Sequence, residues 1–190
     1  MSGPGAPDPG LRAVVIGMGS EYRRDDGAGP AVADQVARSG ADVTHLGPVA
    51  EPLDLLGLWD GADLAIVADA VRSGAEPGTV RLIELAEVAD LATGSAGPPA
   101  GSGGPAGTTS THGIGLTGAL RLARAVGSAP RRVVVVGIEG SDFGQGVGLS
   151  PDVERAVPHA VEHVLELLGP PGVNGRRSRD GSGARRSGPR

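Results

Sequence analysis

The stretch Val14–Gly29, VVIGMGSEYRRDDGAG, decides how the chain folds. Val14, Val15 and Ile16 are β-branched and apolar, the pattern of a strand buried on both faces. Gly17 and Gly19 break that pattern, and glycine is favoured where a chain turns sharply or lets another group approach its backbone. Two adjacent carboxylates follow, Asp25 and Asp26, then Gly27, Gly29 and the start of a helical pattern. Acidic side chains therefore stand where a central strand hands over to a helix. In open α/β sheets that carboxyl edge is where ligands bind.

The segment Gly17-x-Gly19 also begins a dinucleotide fingerprint, but the third glycine would fall at Tyr22. Two negative charges at a helix start repel a pyrophosphate, although they suit the helix dipole. A carboxylate here can also simply cap the helix, and one cap suffices for one helix. Capping is therefore a fuller account of Asp25 than of Asp26.

Outward from this stretch, 190 residues suffice for one domain with a real core. With one Trp, one Tyr and one Phe, that core must be aliphatic. The absence of Cys excludes disulfides, thiolate metal sites and a cysteine nucleophile. Every basic residue is Arg, which excludes a P-loop lysine and a Schiff-base lysine. The formal net charge is −5, and the segment from Gly169 carries six Arg against one Asp. The body is thus more acidic than the whole, which argues against a nucleic-acid partner. No apolar run is long enough for a membrane helix, and the opening MSGPGAPDPG has no signal-peptide core. A cytoplasmic monomer with no membrane partner is expected.

In chain order, residues 1–10 are Gly/Pro-rich and expected to be disordered. Strand patterns cover Ala13–Ile16, Ala41–Leu46, Ala62–Ala70, Thr79–Leu85 as an edge strand, and Arg131–Ile138 as a fifth, central strand. Helical patterns cover Pro30–Arg38, Pro52–Trp59, a short stretch through Leu91, Gly113–Val126 and Pro151–Leu168. Trp59 reads as core packing. Leu116, Ala119, Leu120, Ala123 and Val126 form an apolar stripe. Ser150 is expected to cap the last helix, with Pro151 in its first turn. The segment 93–110 is low-complexity, a long flexible loop of the kind that is usually functional. The segment 169–190 is a Gly/Ser/Arg tail too polar to fold alone. One α/β domain over 11–168 results: a three-layer sandwich with a mostly parallel, twisted five-stranded sheet and helices on both faces.

Two constellations could carry metal chemistry. His159-Ala-Val-Glu162-His163 matches H-x-x-E-H, an inverted zincin pattern. The apolar stripe of that helix is Val153, Ala156, Val157, Ala160, Val161, Val164, Leu165 and Leu168, which leaves His159, Glu162, His163 and Glu166 on the solvated face. A zinc protease also needs a third ligand and only the polar tail follows, so the pattern is expected to be inert. The second constellation is Asp26, Asp69 and His112. Asp69 ends a buried strand, where a carboxylate is costly unless paired or used. In a parallel sheet all three face one crevice, and two carboxylates with one imidazole suit a divalent first-row metal.

These residues stand in stretches that together resemble the hydrogenase maturation endopeptidases: GMGSEYRRDDGAGP, IVADAV followed by Pro77-Gly78-Thr79, STHGIGL, VVVVGIEG and GLSPDVERAVP, in that order, from Val14 to Leu168. The resemblance implies an endopeptidase that removes the C-terminal extension of a nickel–iron hydrogenase large-subunit precursor once nickel is in place. It implies that Asp26, Asp69 and His112 contact nickel, carried by the precursor, and are the catalytic set. It also implies a twisted five-stranded sheet flanked by helices. Ser20 stands where the family usually has Asn, and Tyr22 and Arg23 where it usually has apolar residues. Ser20 could be a nucleophile only if His112 served as its base and as a metal contact at once, which disfavours a serine triad. Water attack then remains, with a carboxylate as base or the metal as Lewis acid. The alternatives are a non-enzymatic nickel or metalloprotein-binding maturation chaperone using the same three residues, and a nucleotide-binding domain with a degenerate fingerprint.

Overall fold

The computed structural model describes residues 12–41, 43–85 and 111–169, with the backbone alone at 45, 46 and 111–114. The expected N-terminal segment, the short helix through Leu91, the 93–110 loop and the tail beyond Gly169 lie outside the described residues. What is described is an α/β sandwich. Its strands are β1 (Ala13–Met18), β2 (Thr44–Val49), β3 (Leu64–Val71), β4 (Val80–Glu84) and β5 (Arg132–Glu139). Its helices are α1 (Ala28–Arg38), α2 (Leu55–Leu58), α3 (Thr111–Val126) and α4 (Pro151–Leu168), with 3₁₀ turns at Arg24–Gly27 and Pro52–Asp54.

The sheet order is β2-β1-β3-β5-β4. All neighbours run parallel except β4 against β5. Alternating side chains sort the core into two layers. Val15, Ile66, Ala68, Val134, Val136 and Ile138 pack with α1 and α4 on one face. Ile16, Met18, Ala65, Val67, Val133 and Val135 pack with Leu55, Trp59 and α3 on the other. Trp59 is fully buried, as its reading as core requires.

The structure differs from the expected strands, sheet centre and buried stripes at several points. Gly17 does not end β1, which continues to Met18. Glycine at 17 serves close approach instead: a Cβ there would stand 2.6 Å from the Gly29 carbonyl oxygen at the start of α1. β2 lies three residues later than its apolar pattern suggested, at Thr44–Val49. Pro48 is tolerated because β2 is an edge strand, and a register shift in β1 between Ile16 and Met18 takes up the irregularity. The centre of the sheet is β3, with β5 one place off it, because β4 folds back antiparallel on the outer side of β5. Val126 is 66% exposed at the end of α3 and leaves the buried stripe. In α4, Leu167 is buried and Leu165 only half-buried, so Leu167 replaces Leu165 in the buried stripe.

The order of strands reverses beside β1: the chain leaves β1 through α1 to β2 on one side, then returns past it to β3 on the other. The crossovers pack on opposite faces, so a crevice opens at the carboxyl ends of β1 and β3. Among the described residues no helix is long and apolar enough to cross a membrane.

Candidate active site

β1 delivers the chain to that crevice. Gly19 follows it at φ +113, and a Cβ there would lie 2.0 Å from the Asp26 carbonyl oxygen, so only glycine lets the loop fold back so tightly. The Ser20 amide then donates to Asp26 Oδ2 at 3.0 Å. Asp26 sits in the four-residue 3₁₀ turn and is 4% exposed. At the first turn of α1, a Cβ on Gly29 would come within 2.2 Å of the Met18 carbonyl oxygen and 2.4 Å of that of Ala68. Glycine there seats the helix start directly on the ends of β1 and β3.

β3 delivers Asp69, 2% exposed and paired in register with Gly137 of β5. Asp69 has the same parity as Ala65 and Val67, so it lies on the face covered by α3. That helix begins at Thr111, and its first turns pack on the 3₁₀ turn after β2: a Cβ on Gly115 would meet Pro52 Cγ at 2.6 Å. His112 is therefore in the first turn of α3, at the carboxyl edge and on the same side of the sheet as Asp69. Its side chain lies outside the described residues. Asp26 thus stands in the turn after β1, and Asp69 lies two residues before the end of β3 rather than at it, because β3 continues to Val71. Among the described side chains, no group of three His, Cys, Asp or Glu converges as a metal site.

Asp25 does not cap α1. The N-cap position is Gly27, and no side chain caps the helix. Asp25 is instead fully buried and gathers the loop between β5 and α4. Its Oδ2 accepts from the amides of Ser141 and Asp142, both at 2.8 Å, and from the hydroxyls of Ser141 at 3.2 Å and Ser150 at 3.0 Å. Its Oδ1 accepts from the Ser150 amide at 2.6 Å. Burial alone would raise its pKa. The hydrogen bonds from the Ser150, Asp142 and Ser141 amides and the Ser150 hydroxyl outweigh that and hold it below the ordinary carboxylate value. Ser150 occupies the N-cap of α4, but its hydroxyl is spent on Asp25 and makes no cap bond.

A further buried carboxylate, Glu139 at the end of β5, was missed by sequence reasoning. It accepts from the Ser73 amide at 2.8 Å, the Ser73 hydroxyl at 2.7 Å and the Gly74 amide at 2.9 Å, which clasps the loop after β3. The signal was present: like Asp69, it is an acid near the carboxyl end of a buried strand. His159 is exposed on α4, and His163 Nδ1 lies 3.3 Å from Glu166 Oε2, a surface pair. The H-x-x-E-H stretch is on the solvated face, away from the crevice.

A family model of the hydrogenase maturation proteases (HycI) matches residues 104–167. The chain is 28% identical over 167 residues to the hydrogenase 2 maturation protease of Escherichia coli (strain K12), spanning 86% of this chain and 94% of that one. It is 29% identical over 173 residues to the hydrogenase expression/formation protein HupD of Thiocapsa roseopersicina, spanning 88% and 72%. Among solved structures it is similar to the hydrogenase maturating endopeptidase HybD from E. coli, with a TM-score of 0.67 and 26% identity over 83% of this chain and 92% of that one.

Proposed function

This chain belongs to the hydrogenase maturation protease family and is a peptidase, and from that premise we propose that it removes the C-terminal extension of a nickel–iron hydrogenase large-subunit precursor after nickel insertion. One observation supports the reading: two carboxylates are buried beside the carboxyl edge of the sheet, Asp26 in the 3₁₀ turn that follows β1 and Asp69 near the end of the neighbouring parallel strand β3. Burying two acids near one sheet edge is costly for packing, and carboxylates suit a divalent metal.

In this reading nickel is part of the substrate. Asp26, Asp69 and His112 contact the metal that the precursor brings, and this contact sets the scissile bond in the crevice. The precursor's peptide bond is then hydrolysed by water. One carboxylate takes the proton of the attacking water, or the precursor's nickel polarises the carbonyl. Cleavage releases the extension with a new amine and leaves a new carboxylate on the large subunit. The exposed side chains of Tyr22 and Val147, each 65% exposed, border the turn that carries Asp26 and offer apolar surface to a protein substrate.

The experiment is processing of a purified precursor with and without nickel, read by intact mass. Loss of a C-terminal peptide only from the nickel-loaded precursor is expected. Binding of the loaded precursor without any mass change would favour the maturation chaperone.

A further inference from the structure

We propose that Asp25 is a positioning residue for Asp26: its carboxylate locks the 3₁₀ turn against the 141–150 loop and so fixes where the Asp26 carboxylate stands. The inference rests on the reading of Asp26 as a contact for the precursor's nickel.

The turn that carries Asp26 is only four residues long and opens with Arg24 at φ +54, a left-handed conformation costly for a residue with a Cβ. Such a turn needs an external frame. The loop after β5 supplies it: the Arg24 amide donates to the Gly146 carbonyl at 2.9 Å, the Gly146 amide to the Tyr22 carbonyl at 2.9 Å, and the Asp25 amide to the Asp142 carbonyl at 2.9 Å. Arg24 Nη1 donates to the Val147 carbonyl at 3.2 Å.

That loop has no helix or strand of its own. Its two ends are held together by the Asp25 carboxylate, which takes the amides of Ser141 and Asp142 from one end and the amide of Ser150 from the other. The two hydroxyls that also donate to it, Ser141 Oγ and Ser150 Oγ, lie 3.3 Å from each other. Without the carboxylate, five donors from both ends of the loop lose their common acceptor. The frame around Arg24 loosens, and Asp26 is the next residue but one.

The Ser20 amide, which donates to Asp26 Oδ2, reports where the Asp26 carboxylate is. The test compares the wild type with Asp25→Asn, with the Ser141→Ala/Ser150→Ala pair, and with Val164→Ala. Val164 is fully buried near the far end of α4, so its truncation destabilises without touching the frame. All are assayed at a temperature where circular dichroism shows them folded. Asp25→Asn is expected to lower the turnover of nickel-loaded precursor by about 100-fold, with KM changed less than about twofold. Its Ser20 amide resonance should shift and exchange faster with solvent. The double serine variant keeps the three amide bonds, so it should fold and show an intermediate loss and an intermediate shift. Val164→Ala should process at the wild-type rate with the Ser20 resonance in place. An unmoved Ser20 resonance in both frame variants, or a Val164→Ala loss as large as that of Asp25→Asn, would overturn the proposal. If Asp25→Asn fails to fold, the double serine variant decides. A wild type that processes no precursor would sink the proposed function instead, and the Ser20 resonance would still judge the positioning role.

Discussion

Replacing Asp25 with Asn tests the structure against the simpler account of this residue as a helix cap. Asn has one acceptor oxygen where Asp has two. Placed at Oδ2, that oxygen keeps the Ser141 and Asp142 amides, but the new NH₂ then sits 2.6 Å from the Ser150 nitrogen, donor against donor. Turned over, it keeps Ser150 and opposes two amides instead of one. The serine hydroxyls can rotate to accept; the amides cannot. At least one shielded N–H is left without a partner, at about 1–3 kcal/mol, and the surviving bonds lose charge assistance worth about 1 kcal/mol each. Relief from burying a charge offsets part of this. The expected net is about 3 kcal/mol, or a Tm lower by roughly 6–12 °C for a chain of this size. A helix cap would behave otherwise, because Asn caps as well as Asp and the change would stay below about 0.5 kcal/mol. The assay is thermal and urea unfolding followed by circular dichroism. pH adds a second check. The folded-state pKa of Asp25 is depressed, so its contribution is present above the unfolded carboxylate value of about 3.9 and is lost as pH falls through the lower folded value. The gap between wild type and variant should be constant near neutrality and narrow in acid below about pH 4. A Tm within about 2 °C of wild type at pH 7 would refute the reasoning.

Glu139→Gln should cost only about 1 kcal/mol, since its oxygen can keep the Ser73 and Gly74 amides while its NH₂ donates to a rotated Ser73 hydroxyl; Glu139→Leu should cost about 3 kcal/mol, and a urea titration of both checks the contrast. Gly29→Ala should destabilise by about 3 kcal/mol, because its methyl would press on the carbonyl oxygens of Met18 and Ala68, and the same titration measures it. Asp26→Asn, Asp69→Asn and His112→Ala should each abolish processing of nickel-loaded precursor while circular dichroism stays native; full activity in all three would place the chemistry elsewhere. His159→Gln with His163→Gln should leave both folding and processing unchanged, because both residues lie on the solvated face of α4; a folded double variant that processes nothing would revive the zincin-like reading.

The fold was legible because its strands are runs such as Val133–Val136 and Leu64–Ala68, apolar on both faces, with helical periodicity between them. The site was legible in part because Asp26 and Asp69 each interrupt such a pattern at its carboxyl end, where local rules leave an acid unexplained. Edge strand β2 was misplaced because edge pairing tolerates Pro48 and a register shift, so its apolar pattern is weak. Asp25 does not cap α1, and Ser150 holds the N-cap position of α4 without a side-chain cap bond, for one shared reason. Capping is a local rule, read within four residues, whereas Asp25 and Ser150 are hydrogen-bonded to each other across 125 positions.

The sequence by itself determined the class of the sheet, the layers that cover it, and two acids at its edge, because periodicity and the cost of burying charge act over a few residues. Only the tertiary structure decided that Asp25 gathers the 141–150 loop while Asp26 turns to the Ser20 amide. Adjacent residues on a tight turn point in different directions, and the partners that claim Asp25 come from a distant loop that no local pattern can name.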